Sequence, residues 1–165
     1  MSTSKVEDLT SDPYQVAETI ALIALAPRAK SRGELFSHLK KRGIPDDIAN
    51  AVLYRLQERG YVNDVEFARA WSESRQRAKK LSKRVIASEL REKGISSDII
   101  EATLSEINSD DEYANARHCA ERKLNSASRL EPATIYRRVH SALARKGFDL
   151  ELIARVMRDL EISPR

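Results

Sequence analysis

The sequence predicts an all-α protein in which three tandem three-helix repeats form an elongated, curved array. Three observations carry this. The chain of 165 residues is dominated by Ala, Leu, Glu, Lys and Arg, with five glycines, five prolines and 5% aromatic residues, a composition that favours helix over strand. Its internal glycines recur at a nearly fixed period. Around each of them, apolar residues repeat at helical spacing.

The repeat is anchored on three segments: Leu39-Lys-Lys-Arg-Gly43-Ile-Pro-Asp-Asp-Ile48, Leu90-Arg-Glu-Lys-Gly94-Ile-Ser-Ser-Asp-Ile99 and Leu143-Ala-Arg-Lys-Gly147-Phe-Asp-Leu-Glu-Leu152. The anchors at 43, 94 and 147 lie 51 and then 53 positions apart, at or just above the window that signals stacked supersecondary units. The units divide as 11–60, 61–108 and 109–162, with residues 1–10 expected to be a disordered tail.

Within each unit the elements follow in order. A first helix opens on an aromatic residue followed by small apolar ones: Tyr14 with Ala17, Phe67 with Ala68 and Trp71, Tyr113 with Ala114. Ser11 or Asp12 ahead of Pro13 starts the first of these, and Asn63 with Glu66 three residues later forms a capping box for the second. The second helix of each unit ends at the glycine, which follows a basic residue and an amphipathic run, the pattern of a C′ position in the left-handed region. Apolar residues eight and four positions before the glycine (Leu35 and Leu39, Ile86 and Leu90, Val139 and Leu143) share one face. The third helix starts within two or three residues, capped by Ser96 and Asp149 in the later copies, whereas Pro45 stands at that place in the first. The stretch Asn125 to Glu131 reads as a longer polar loop inside the third unit.

Several classes of function are excluded. The single Cys119 cannot close an intrachain disulfide, which fits a cytoplasmic protein. The longest apolar run, Ile20 to Ala26, has seven residues, far short of the roughly 20 needed to cross a bilayer. His38, His118 and His140 have no metal-binding spacing, and the isolated glycines form no phosphate-cradling loop. The sequence therefore points to no catalytic residue, no metal and no cofactor, and to a protein that acts by binding. Its mixed-charge surface is that of a monomer.

Charge is where the units differ. Arg75, Arg77, Lys79, Lys80, Lys83 and Arg84 put six cations in ten residues without one acid, and Arg28, Lys30 and Arg32 occupy the equivalent place in the first unit. The third unit carries Arg129, Glu131, Arg137 and Arg138 there. Two readings stand side by side: a strip facing DNA phosphates or an acidic protein surface, or a solvated connection between helices. The cations directly before the glycines (Lys41 and Arg42, Lys93, Arg145 and Lys146) complement helix dipoles and read as structural. Trp71 and Phe67 read as core anchors. A helix-turn-helix is disfavoured, because Asp46, Asp47 and Glu58, or Asp98, Glu101 and Glu106, would set acids of the helix after the glycine against phosphate.

The stretch Gly60-Tyr61-Val62-Asn63-Asp64-Val65-Glu66-Phe67-Ala68, followed by Arg75 and by Ile86-Ala-Ser-Glu89-Leu90-Arg-Glu-Lys93-Gly94-Ile95, resembles the RecX family of bacterial recombinase regulators. Arg28-Ala-Lys-Ser31-Arg-Gly-Glu34-Leu35 and Arg145-Lys146-Gly147-Phe148 are similar to that family's first and last motifs, and the resemblance spans roughly residues 14 to 160. The chain departs from the family pattern in having Asn63 before Asp64 where two aspartates are usual, and Lys80 and Ser82 where the family tends to place glycines. The resemblance implies a non-enzymatic partner of the RecA recombinase and of its filament on single-stranded DNA. It implies inhibition of ATP hydrolysis, strand exchange and co-protease activity, and so modulation of recombinational DNA repair and the SOS response. The alternative from the residues alone is a helical-repeat nucleic-acid-binding protein that acts without a recombinase.

Overall fold

A computed structural model describes residues 12–165, and all of its regular structure among the described residues is helical. The expected N-terminal tail, and Ser11 as a cap, lie outside those residues. The helices are α1 (Pro13–Leu25), α2 (Arg32–Lys41), α3 (Asp46–Glu58), α4 (Asp64–Ser74), α5 (Lys83–Glu92), α6 (Ser97–Ser105), α7 (Ser109–Ala127), α8 (Pro132–Arg145) and α9 (Leu150–Asp159). A five-residue π-helical turn, Arg75–Lys79, continues α4. The chain divides into two compact units, one running through Asp64 and the other from Val65 to Arg165.

The first unit holds α1, α2 and α3 packed on one another. Ala17, Ala21 and Ala24 form a stripe of small side chains on α1, buried with Leu35 and Leu39 of α2 and Val52, Leu53 and Leu56 of α3. Small residues on one helix and large ones on its neighbours let the side chains interdigitate at crystal-like density. Burying each leucine contributes roughly 1.5–3 kcal/mol. The second unit repeats the arrangement twice. Phe67 and Ala68 of α4 pack with Ile86, Ala87 and Leu90 of α5 and with Ile100 of α6. Ala116 and Ala120 of α7 pack with Val139 and Leu143 of α8 and with Ile153, Val156 and Met157 of α9. Each paired position four residues before a glycine, Leu39, Leu90 and Leu143, is fully buried.

The glycine turns form as the spacing predicts. Gly43, Gly94 and Gly147 have φ of 80°, 76° and 86°. In each turn the amide after the glycine donates to the carbonyl of that buried leucine: Ile44 to Leu39, Ile95 to Leu90, Phe148 to Leu143. The glycine amide donates to the carbonyl one residue further on, and the pair of bonds closes a Schellman motif. Gly60 ends α3 in the same way, with Tyr61 donating to Leu56. Gly147 has a second constraint. A Cβ there would stand 2.3 Å from Cγ2 of Val85 and 2.6 Å from Oγ of Ser82.

Helix starts follow the sequence less evenly. Asp12 caps α1 by accepting from the Tyr14 amide, and Asp149 caps α9 by accepting from Leu152. Ser96 occupies the N-cap of α6 without a side-chain bond, as Pro45 does for α3. α4 begins directly after Asn63. The polar stretch read as a loop is shorter than expected: α7 continues through Ala127, so Asn125 and Ser126 are helical. Ala127 is 2% exposed and keeps that last turn attached to the protein.

The second helices share a device that no local pattern announces. Ser31 and Ser82 cap α2 and α5. The next amide in each, that of Arg32 or Lys83, donates to a carboxylate far along the chain: Asp64 Oδ1 at 2.8 Å and Glu112 Oε1 at 3.0 Å. These amides have no partner within their own helix, so the acids satisfy an otherwise orphaned donor. α8 starts instead with Pro132, which has no amide hydrogen at that position.

Candidate partner-binding site

The nine cations singled out in the sequence separate into two groups once the chain is folded. Four are held by the protein itself. Arg75 turns inward: its Nε lies 2.6 Å from Glu89 Oε2 and its guanidinium carbon 3.9 Å from the centre of the Trp71 ring. Arg84 Nε donates to the Gly147 carbonyl at 3.3 Å. Arg28 forks onto Glu34, with Nη2 3.1 Å from Oε1 and Nη1 3.2 Å from Oε2, and the Glu34 hydrogen bond raises its pKa further. Arg32 ties α2 to α3 through Gln57 at 3.1 Å and Asn50 at 2.7 Å.

The other five, Lys30, Arg77, Lys79, Lys80 and Lys83, enter none of the side-chain hydrogen bonds or ion pairs among the described residues. The division has a backbone cause. The π-helical turn widens the helix after Ser74, leaving Arg75 half-buried against Glu89 while Arg77 and Lys79 are exposed. Lys80 then closes the turn at φ 52° and ψ 42°, with its amide directed at the carbonyls of Arg75 and Gln76. That is the left-handed conformation usually given to glycine, here carried by a lysine.

Phe67 and Trp71 stack with ring centres 5.8 Å apart, and Phe67 is buried as a core residue. Trp71 is half-buried and donates from Nε1 to Glu89 Oε2 at 2.8 Å, and Lys93 Nζ sits 4.0 Å from its ring centre. Lys93 therefore has a ring contact as well as its place in the last turn of a helix.

The surroundings of the five available cations are unequal. Arg77 and one side of Lys80 share a shallow recess with Glu73 and Asp111, so acids already offset the charge there. On the other side, Lys79 and Lys80 line a recess with Arg122, Lys123 and Lys146 in which no carboxylate takes part. Lys146 Nζ donates to the Lys79 carbonyl, and the Ser82 amide donates to the Lys146 carbonyl at 3.1 Å. These bonds hold the π-helical turn and the end of α8 together. Arg122 and Lys123 attracted no notice in the sequence because α7 carries acids elsewhere along its length, and Lys146 read only as a dipole partner.

Cys119 lines this recess and packs partly against the third core. Burial pushes its thiol pKa up, and Lys146, Lys80 and Arg122 pull it back only in part. It is thus a packing residue with a weakly ionised thiol. Among the described residues no group of three or more His, Cys, Asp or Glu is placed to hold a metal ion, and no helix is long and apolar enough to cross a membrane.

Sequence models of three domains match the chain in series: "RecX, first three-helix domain" over 17–56, "RecX, second three-helix domain" over 63–104 and "RecX, third three-helix domain" over 110–157. The chain is 37% identical over 147 residues to the regulatory protein RecX of Streptomyces coelicolor, covering 89% of this chain and 78% of that protein. It is 36% identical over 149 residues to that of Thermobifida fusca (90% and 80%) and 36% identical over 151 residues to that of Mycobacterium avium (90% and 87%). The crystal structure of RecX from Lactobacillus salivarius superposes with a TM-score of 0.81 at 21% identity, covering 92% of this chain and 99% of that one, a likeness of fold.

Proposed function

The chain belongs to the RecX family of regulatory proteins, and from that premise we propose that it is a non-enzymatic regulator of the RecA recombinase. In this reading it binds the recombinase filament on single-stranded DNA and restrains ATP hydrolysis, strand exchange and co-protease activity. It thereby tempers recombinational repair and the SOS response in the cytoplasm. The observation that carries the reading is the series of three RecX domains along one chain.

The physical argument is one of multiplicity. A helical filament presents the same surface on each protomer, and a chain of similar modules, taken as 11–60, 61–108 and 109–162, can add several weak contacts through effective concentration. One isolated module should then inhibit far more weakly than the whole protein. Arg77, Lys79, Lys80, Lys83 and Lys30 are the cations assigned to the partner, since Arg28, Arg32, Arg75 and Arg84 are occupied within the fold.

The decisive experiment measures DNA-dependent ATP hydrolysis by the recombinase of the same host as this protein is added. Inhibition at or below stoichiometric amounts is the expected result. No effect at equimolar protein overturns the proposal.

A further inference from the structure

We infer that the second compact unit carries a base-independent binding track for a phosphodiester backbone, and that it takes a nucleic-acid strand directly, without the recombinase. The track is built from two recesses that share Lys123. The first holds Lys79, Lys80, Arg122 and Lys146; the second holds Arg137, Arg138 and Arg145. All of these residues lie between Val65 and Arg165, so their spacing is set by one packed body.

Four features define the ligand. Neither recess includes a carboxylate, whereas the neighbouring one around Arg77 includes two. Unneutralised cations repel one another by about 0.5 kcal/mol per pair at 8 Å in water, so the cluster is a standing cost that a polyanion removes. Length comes next. Arg138 and Arg145 are seven residues apart on α8, which is about 10 Å at 1.5 Å per residue. That exceeds one phosphate and suits a run of them, which recur every ~3.4 Å along a strand of duplex.

Neither recess is lined by Phe, Tyr or Trp. Bases therefore have no ring to stack on, and contact falls on the backbone alone. The same absence, with only Ala78 and Ala142 as aliphatic lining, leaves no anchor for the apolar centre of a protein interface. The lining does supply hydroxyls, from Ser126 in one recess and from Thr134 and Ser141 in the other, and these donate to phosphate oxygens. Arg137 already donates to Thr134 Oγ1 at 3.3 Å.

The test uses the full chain and no recombinase: fluorescence anisotropy of labelled oligo-dT and oligo-dA strands, and of a duplex, across a salt series. Lys123→Ala/Arg138→Ala/Arg145→Ala is compared with Lys41→Ala/Arg42→Ala/Arg91→Ala, which removes equal charge from exposed positions elsewhere. The expected result is equal affinity for the two strands. The first triple variant should also lower the slope of log K against log salt by about 2, at roughly 0.7 for each phosphate no longer neutralised, with the second left near wild type. Arg145→Ala alone, at an exposed position, should lower the slope by about 0.7 and guards against a folding defect in the triple variant. Equal losses in both triple variants would mean net charge only and overturn the site. So would a strong preference between dT and dA, or binding of inorganic polyphosphate or an acidic peptide with neither strand nor duplex bound. Loss of recombinase inhibition with strand binding intact touches only the proposed function, and the reverse touches only this track.

Discussion

Glu89 Oε2 accepts from Arg75 Nε at 2.6 Å and from Trp71 Nε1 at 2.8 Å, so one carboxylate oxygen fixes both the first cation of the basic segment and the indole beside it. Arg75 is thereby a part of the fold.

Arg75→Ala should lower stability by about 1–2 kcal/mol, through loss of a charge-assisted bond and a cation–π contact, and leave partner affinity close to wild type. Lys79→Ala should do the opposite. Trp71 is the single tryptophan, so its fluorescence in a urea titration reports the first effect, and filament binding reports the second. Equal loss of affinity in both variants would contradict the division.

Lys80 holds a left-handed backbone at φ 52°, which costs an L-residue roughly 1–2 kcal/mol. Lys80→Gly should therefore raise stability by about 0.5–1 kcal/mol after the larger chain entropy of glycine is subtracted, while weakening anion binding. A variant that is better folded and worse at binding separates the two roles of this position. Lower stability in Lys80→Gly would show that the turn carries no strain.

Gly147→Ala and Gly43→Ala test the same turn in different surroundings. At Gly43 an added Cβ meets nothing within 4 Å, and the left-handed backbone alone should cost about 1–2 kcal/mol. At Gly147 the clash with Val85 and Ser82 adds overpacking of about 1–3 kcal/mol. Chemical denaturation should rank them in that order, and equal costs would show that the α8 turn yields freely.

The Cys119 thiol has a raised pKa, chiefly from burial, so it is protonated at neutral pH and its alkylation by iodoacetamide should be slow there. The rate should climb as pH passes above the ordinary thiol value of 9.0. Removing nearby positive charge with Arg122→Ala should move the rise to still higher pH. Fast alkylation at pH 7 would show a thiolate stabilised by those cations.

Much of the fold is legible because its signals are local. A glycine at C′, a buried leucine four residues earlier and an apolar residue after it specify a Schellman turn within six positions, and all three such turns form. The end of α7 is less legible, since Asn125 and Ser126 are polar and only the burial of Ala127 holds the turn. In the candidate site the six cations of the middle segment look alike in sequence. Glu89 and the carbonyl of Gly147, 14 and 63 residues away from the cations they accept from, separate Arg75 and Arg84 from Lys79 and Lys80. No short-range pattern encodes that separation. The pairing of Lys79 and Lys80 with Arg122, Lys123 and Lys146 is likewise a product of packing.

The acids Asp64 and Glu112, which close the starts of α2 and α5, have a consequence for anyone who cuts or extends this chain. Asp64 lies within the second RecX domain yet serves a helix of the first, so a fragment ending at residue 60 exposes a bare amide that a fragment ending at 64 does not. Modules defined by sequence similarity and modules that can be excised intact therefore have different borders. The start of α8 asks nothing of a following module, because Pro132 offers no hydrogen there. Lengthening the array by grafting another copy behind the third would require that proline to be replaced, so that the newcomer's acid had a donor to grip.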